Sequence, residues 1–121
     1  MQQEVRDVLV VDDQSPFRSV ARTLVGMTPG LRVAAEAETG EEAVEVAARI
    51  RPAVVLMDIN LPGISGFEAT RQIVAANAGT TVVLLSTYTA EDLPERPESC
   101  GAIGYLRKED LTPAALSALI D

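Results

Sequence analysis

"VLVVDDQSPFR", residues 8–18, decides how the rest of the chain is read. Four apolar residues, Val8 to Val11, run straight into two adjacent carboxylates, Asp12 and Asp13, and Ser15-Pro16 follows. Ser is a favoured N-cap and Pro suits the first helical position, so Ser15 is expected to cap a helix that runs to about Val25 and stops before Gly26 and Pro29-Gly30. An apolar strand driven into like charges and then turned at once into a helix is a βα unit with something to hold at the strand's end.

The same alternation continues outward. Leu31–Ala35, Ala53–Met57, Thr81–Leu85 and Ala102–Leu106 are further short apolar runs rich in Val and Leu. With little polar alternation they suit strands buried on both faces of a parallel sheet; short runs also fit buried helix, but the flanking turn residues favour strands. Thr39 or Gly40 opens a second helix, "EEAVEVAARI", with acids in its first turn and Arg in its last, as the helix dipole prefers, and Pro52 stops it. Gly66 opens a third helix, to about Ala76, and Thr112-Pro113 starts a last one, to Ile120. Residues 90–101, "AEDLPERPESCG", fall where a fourth helix belongs, yet Pro94 and Pro97 each remove a backbone donor and clash with the preceding turn. One short turn before Pro94 and irregular chain after it are expected there. Strands alternating with helices predict right-handed crossovers and a flavodoxin-like three-layer α/β sandwich, its five parallel strands in the order 2-1-3-4-5, with a short or irregular fourth helix.

Composition narrows the function. The chain of 121 residues suits one domain, 1–121, and at 47% hydrophobic but 3% aromatic its core must be aliphatic. No apolar run approaches the roughly 20 residues of a membrane span, and Met1 is followed by polar residues rather than a signal-peptide core, so no membrane partner is expected. A single Cys100 excludes an internal disulfide, fits a reducing, cytoplasmic setting and reads as a small apolar packing residue. A net charge of −8 argues against a nucleic-acid surface within these residues. Nine of the ten basic residues are Arg, Lys108 is the sole lysine, and the absence of His rules out an imidazole base, a histidine metal ligand or a phosphohistidine in this chain.

Sheets of this kind place their crevice at the carboxyl ends of the strands. The predicted first strand ends at Asp12-Asp13, the third at Asp58, the fourth at Ser86-Thr87 and the fifth near Lys108. Each has a plain structural reading alone: a helix cap, a turn residue, an N-cap, a solvated charge. Their joint placement at one sheet edge does not. Like charges about 4 Å apart repel by about 4 kcal/mol at an effective dielectric of 20, so three carboxylates need a cation or a raised pKa. Mg²⁺ suits them, because it accepts one or two carboxylates together with waters and phosphate oxygens. A carboxylate can also attack phosphorus, and phosphoryl transfer needs the positive charge and hydrogen bonding that a metal, a lysine and a hydroxyl supply.

Along nearly its whole length the chain resembles the receiver domain of two-component response regulators. "VLVVDDQSPFR" is similar to that family's acidic-pair strand end, "VVLMDINLPGISGFEATR" (54–71) to its phosphoacceptor strand and following loop, "VVLLST" (82–87) to its hydroxyl-bearing strand, and "GAIGYLRKED" (101–110) to its aromatic-and-lysine strand. The resemblance implies that Asp58 is the phosphoacceptor. It implies that Asp12, Asp13, Asp58 and the backbone carbonyl of Asn60 hold Mg²⁺, Asp13 more directly than Asp12. Ser86 would then bond the phosphoryl group, Lys108 would pair with it, and Tyr105 would reorient as Ser86 moves. The partner would be a sensor histidine kinase, the chain a regulatory switch rather than an enzyme, and homodimerisation a consequence of phosphorylation. "KED" resembles receivers that carry a LuxR-type helix-turn-helix domain, so DNA is expected to be contacted only through a domain absent from this chain. Three departures stand out: Thr87 where a small residue is usual, Glu109 where many receivers have Pro, and the proline-broken segment 90–101 on the family's usual output face. Two other classes fit the residues less well. A Mg²⁺-dependent phosphohydrolase would need a lid and a substrate pocket. A flavodoxin would need a hydroxyl-rich phosphate loop and stacking aromatics, and here the loop begins with acids.

Overall fold

The computed structural model describes residues 4–121. Five strands, β1 (Arg6–Val11), β2 (Leu31–Ala37), β3 (Val54–Asp58), β4 (Thr81–Ser86) and β5 (Gly104–Arg107), form one parallel sheet in the order β2-β1-β3-β4-β5. Four helices, α1 (Ser15–Gly26), α2 (Gly40–Ile50), α3 (Gly66–Ala76) and α4 (Pro113–Ile120), complete the three layers. This is the architecture expected from the alternating pattern.

Side chains alternate across a strand, and both faces of this sheet are covered. Leu9, Val11, Val55, Met57, Val82 and Leu84 point to one side, where Ala43, Val46, Phe67 and Ile73 of α2 and α3 meet them. Val8, Val10, Val54, Leu56, Val83 and Leu85 point to the other, against Ala21 and Val25 of α1 and Leu116 of α4. That is why the strands read as continuous apolar runs.

Helix boundaries follow local chemistry, with one correction. Thr39, Ser65 and Thr112 each cap α2, α3 and α4 by accepting the amide of the residue three on. Ser15 does not cap α1: it is the first helical residue, Gln14 occupies the cap position without a side-chain bond, and Pro16 falls in the first turn. Helix α2 ends at Arg51, whose φ of 49° is left-handed and whose N–H reaches Ala47 O at 2.8 Å; Pro52 denies Arg51 the right-handed conformation that would continue the helix.

The segment 90–101 contains no α-helix. A 3₁₀ turn spans Ala90–Asp92, as expected before Pro94, and a second spans Pro97–Cys100, where irregular chain was expected. Pro97 pre-sets a helical φ and Gly101, at φ 95°, ends the turn. Glu95 pairs with Arg71 of α3, and buried Cys100 packs into the α2–α3 side of the core, fastening the segment to that helix.

Candidate functional site

Register brings the strand ends together. Val11 is level with Met57, so Asp12 lies beside Asp58. Asp58 is level with Leu85, and Ser86 is level with Arg107, so Ser86 and Lys108 extend the row. The row sits where the strand order reverses between β2-β1 and β3, the switch point at which open α/β sheets bind ligands.

Three of these ends share one local device. Asp12 Oδ1 accepts the Gln14 amide at 2.9 Å, Asp58 Oδ1 accepts the Asn60 amide at 3.2 Å, and Ser86 Oγ accepts the Tyr88 amide at 3.0 Å. Each side chain thus bonds the backbone two residues on, which fixes its rotamer and turns the chain away from the sheet. In both acids one oxygen is committed to the backbone and Oδ2 is left for other partners. Lys108 Nζ stands 2.6 Å from Asp12 Oδ2 and 3.6 Å from Asp58 Oδ2.

The electrostatics are those of a site short of positive charge. Oxygens of Asp12, Asp13 and Asp58 lie within 4.8 Å of one another, with Asp12 and Asp58 buried and Asp13 exposed. The Asp58 carboxyl is raised to about 6, first by burial and next by the Asp12 charge; Lys108 and the Asn60 amide pull it down without cancelling the rise. Asp12 Oδ2 is buried and receives no hydrogen bond of good geometry among the described residues, Lys108 being its charged neighbour. One ammonium against three carboxylates leaves an uncompensated set of hard oxygen donors, two of them buried. Those donors fit a divalent ion of the Mg²⁺ type.

On the other flank, Ser86 is buried and Thr87 and Tyr88 are exposed. Tyr105 packs against the α2–α3 side of the core; its hydroxyl is buried with no hydrogen bond of good geometry among the described residues, and burial pushes the phenol's pKa up while the neighbouring Ser86 side chain pulls it the other way. The strand-end residues Asp12, Asp13, Asp58, Ser86 and Lys108 therefore converge, and Tyr105 lies on the adjoining strand β5, level with Leu84 and two residues before Arg107, the partner of Ser86.

The supporting roles of five residues were missed. Phe17 places its ring 4.6 Å from Lys108 Nζ, a cation–π contact that helps aim the ammonium. Arg18 donates to the Asp12 carbonyl at 2.7 Å. Glu41, at the start of α2, accepts the Ile64 amide at 3.1 Å and so straps the loop that follows Asp58; Gly63, at φ 77°, has no side chain to collide with that carboxylate. Gly66 lets α3 start against the Asp58 carbonyl and Ile59.

Known proteins share this fold. The chain is 37% identical over 113 residues to the response regulator UvrY of Escherichia coli K12, a match covering 93% of this chain and 52% of that protein; the chain spans about half the length of the curated relatives it matches. Among solved structures it is similar to a LuxR-family two-component response regulator from an Aurantimonas species, with 30% identity, a TM-score of 0.85 and coverage of 97% of this chain and 86% of that one. It is also similar to the receiver domain of a Pseudomonas aeruginosa sensor histidine kinase, at 27% identity and a TM-score of 0.81 over 96% and 94% of the two chains; that structure holds a magnesium ion in its active-site cleft. The response regulator receiver domain matches residues 8–121, and the chain belongs to that family of phosphorylation-dependent signalling domains.

Proposed function

We propose that residues 1–121 form one receiver domain that takes a phosphoryl group on Asp58 from the phosphohistidine of a partner sensor histidine kinase. The observation that carries this reading is the meeting of Asp12, Asp13 and Asp58 with Lys108 at one sheet edge. Asp12, Asp13, Asp58 and the Asn60 carbonyl would hold Mg²⁺, which when bound offsets the charge of the carboxylates and of the incoming phosphoryl oxygens. With a pKa of about 6, Asp58 is ionised at neutral pH yet more basic than an ordinary carboxylate, which suits a nucleophile. Its oxygen bonds to phosphorus as the P–N bond to the donor histidine breaks, and the donor leaves as imidazole. Lys108 pairs with the transferred group and Ser86 gives up its bond to the Tyr88 amide to donate to it. Tyr105 then follows into the space behind Ser86.

The phosphoryl group shifts the switch only through contacts that differ between its two states. Going from 1:99 to 99:1 takes about 5.5 kcal/mol, within reach of two or three charge-assisted hydrogen bonds. The setting is cytoplasmic; among the described residues no helix is long and apolar enough to cross a membrane. The output is transcription through a DNA-binding domain beyond this chain, with dimerisation on phosphorylation. Support comes from the likeness to a LuxR-family regulator.

Intact mass after incubation with acetyl phosphate, with and without Mg²⁺, tests the chemistry. A Mg²⁺-dependent phosphate adduct that Asp58→Asn abolishes is expected. No adduct, together with no beryllofluoride binding, sinks the proposal and leaves a receiver fold that works without phosphate.

A further inference from the structure

We infer that Arg18 is a positioning residue for the divalent cation, holding the Asp12–Asp13 peptide in the orientation that keeps both acids open to the metal. The inference rests on the reading of Asp12, Asp13 and Asp58 as a Mg²⁺ site. Arg18 lies on α1, and its side chain is only 13% exposed. Its Nη1 donates to the Asp12 carbonyl at 2.7 Å, its Nε to Glu36 at 3.2 Å and its Nη2 to Glu38 at 3.3 Å. Arg22 adds a second contact to Glu36, at 3.5 Å.

The choice of acceptors is unusual. A guanidinium fork prefers a carboxylate, and three carboxylates stand at the adjoining strand ends. Arg18 instead takes the main-chain oxygen of Asp12, while Glu36 on β2 and Glu38 just beyond it hold the other arms of the fork. Its charge is answered outside the acidic cluster. The Asp12 amide, meanwhile, donates to Ala37 O at 3.0 Å. The Asp12 backbone is therefore gripped at its N–H by β2 and at its carbonyl by Arg18. The carbonyl belongs to the peptide that leads into exposed Asp13, so its plane sets where the Asp13 carboxylate emerges. A lysine could reach one of these acceptors but cannot span all three with a single ammonium.

Two effects of removing Arg18 have opposite signs, which makes the inference testable. Coulomb's law alone says that deleting a positive charge near the acids tightens cation binding. Positioning says that freeing the Asp12–Asp13 peptide weakens it. Calorimetric titration with Mg²⁺, with thermal melts in parallel, should be run on the wild type, Arg18→Lys and Arg18→Gln. Arg18→Gln is expected to weaken Mg²⁺ binding at least tenfold, with Arg18→Lys in between. Folded Arg18→Gln that binds Mg²⁺ as tightly as the wild type, or tighter, overturns the inference. Should Arg18→Gln not fold, Arg18→Lys decides by the same criterion. A wild type that takes up no Mg²⁺ overturns the metal site itself and this inference with it.

Discussion

Lys108 leans on Asp12 rather than on Asp58: its Nζ is 2.6 Å from Asp12 Oδ2 and 3.6 Å from Asp58 Oδ2, steadied from behind by the Phe17 ring. The ammonium thus occupies the oxygen that a dication would want. Two charges from the metal and one from the lysine, about 5 Å apart in a water-like dielectric, repel by about 1 to 2 kcal/mol. Lys108→Met is expected to bind Mg²⁺ about tenfold more tightly while accepting phosphate from a small donor more slowly. Calorimetry and adduct formation against time read the two effects separately; unchanged Mg²⁺ affinity would mean that Lys108 swings clear at no cost.

The raised Asp58 carboxyl makes stability depend on pH in a definite direction. Its pKa is about 6 in the folded protein against 3.8 for an ordinary aspartate, so between those values the folded state binds more protons than the unfolded chain. Stability then falls as pH rises from about 4 to about 6 and stays lower above. Asp58→Asn removes this penalty. In chelator at pH 7.5 it should be more stable than the wild type by on the order of 2 kcal/mol, after discounting for solvent screening. The gain should vanish below about pH 4. Urea melts at both pH values check the sign.

Gly66 is required by contact rather than by conformation. A Cβ there would strike the Asp58 carbonyl oxygen and lie 2.7 Å from Ile59 Cα, both backbone atoms that cannot swing aside. Gly66→Ala should cost about 2 to 3 kcal/mol, as overpacking does. Gly26, at the end of α1, meets nothing within 4 Å. Gly26→Ala should be neutral or stabilising by up to about 1 kcal/mol. Denaturant midpoints of the two variants make the comparison.

Tyr88 stands two residues past Ser86, 43% exposed, its amide bonded to Ser86 Oγ. If its ring obstructs water, Tyr88→Ala should lose the phosphoryl group several times faster. The Tyr88 amide that bonds Ser86 is untouched by the change, so an unaltered decay rate would dismiss the ring's role outright.

How far the sequence could be read depends on what each residue leans on. Strand order follows from the alternation of strands with helices, and the row of Asp12, Asp58, Ser86 and Lys108 from where apolar runs stop, a local signal. Local signals also misled by small margins. Ser15-Pro16 suggested a cap one residue late. The fifth strand was expected over Ala102–Leu106, but it pairs only from Gly104 to Arg107, with Ala102 already buried as the chain enters the sheet. Arg18, Glu41 and Phe17 were invisible for a different reason. Their meaning lies in partners 18, 23 and 91 positions away: Glu36, Ile64 and Lys108. Only the packing of α1 on β2 and beside the end of β5, and of α2 against the loop after β3, brings those pairs into reach.

The two 3₁₀ turns between β4 and β5 have a mechanical consequence. An α-helix behaves as a rod because each turn is bonded to the next, so a push at one end arrives at the other. Ala90–Asp92 and Pro97–Cys100 are separate short turns, joined through Pro94 and tied to α3 by the Arg71–Glu95 pair. A displacement starting beside Ser86 meets a chain of soft joints rather than a lever. It is absorbed as bending near its origin, and whatever stiffness this flank has is borrowed from α3.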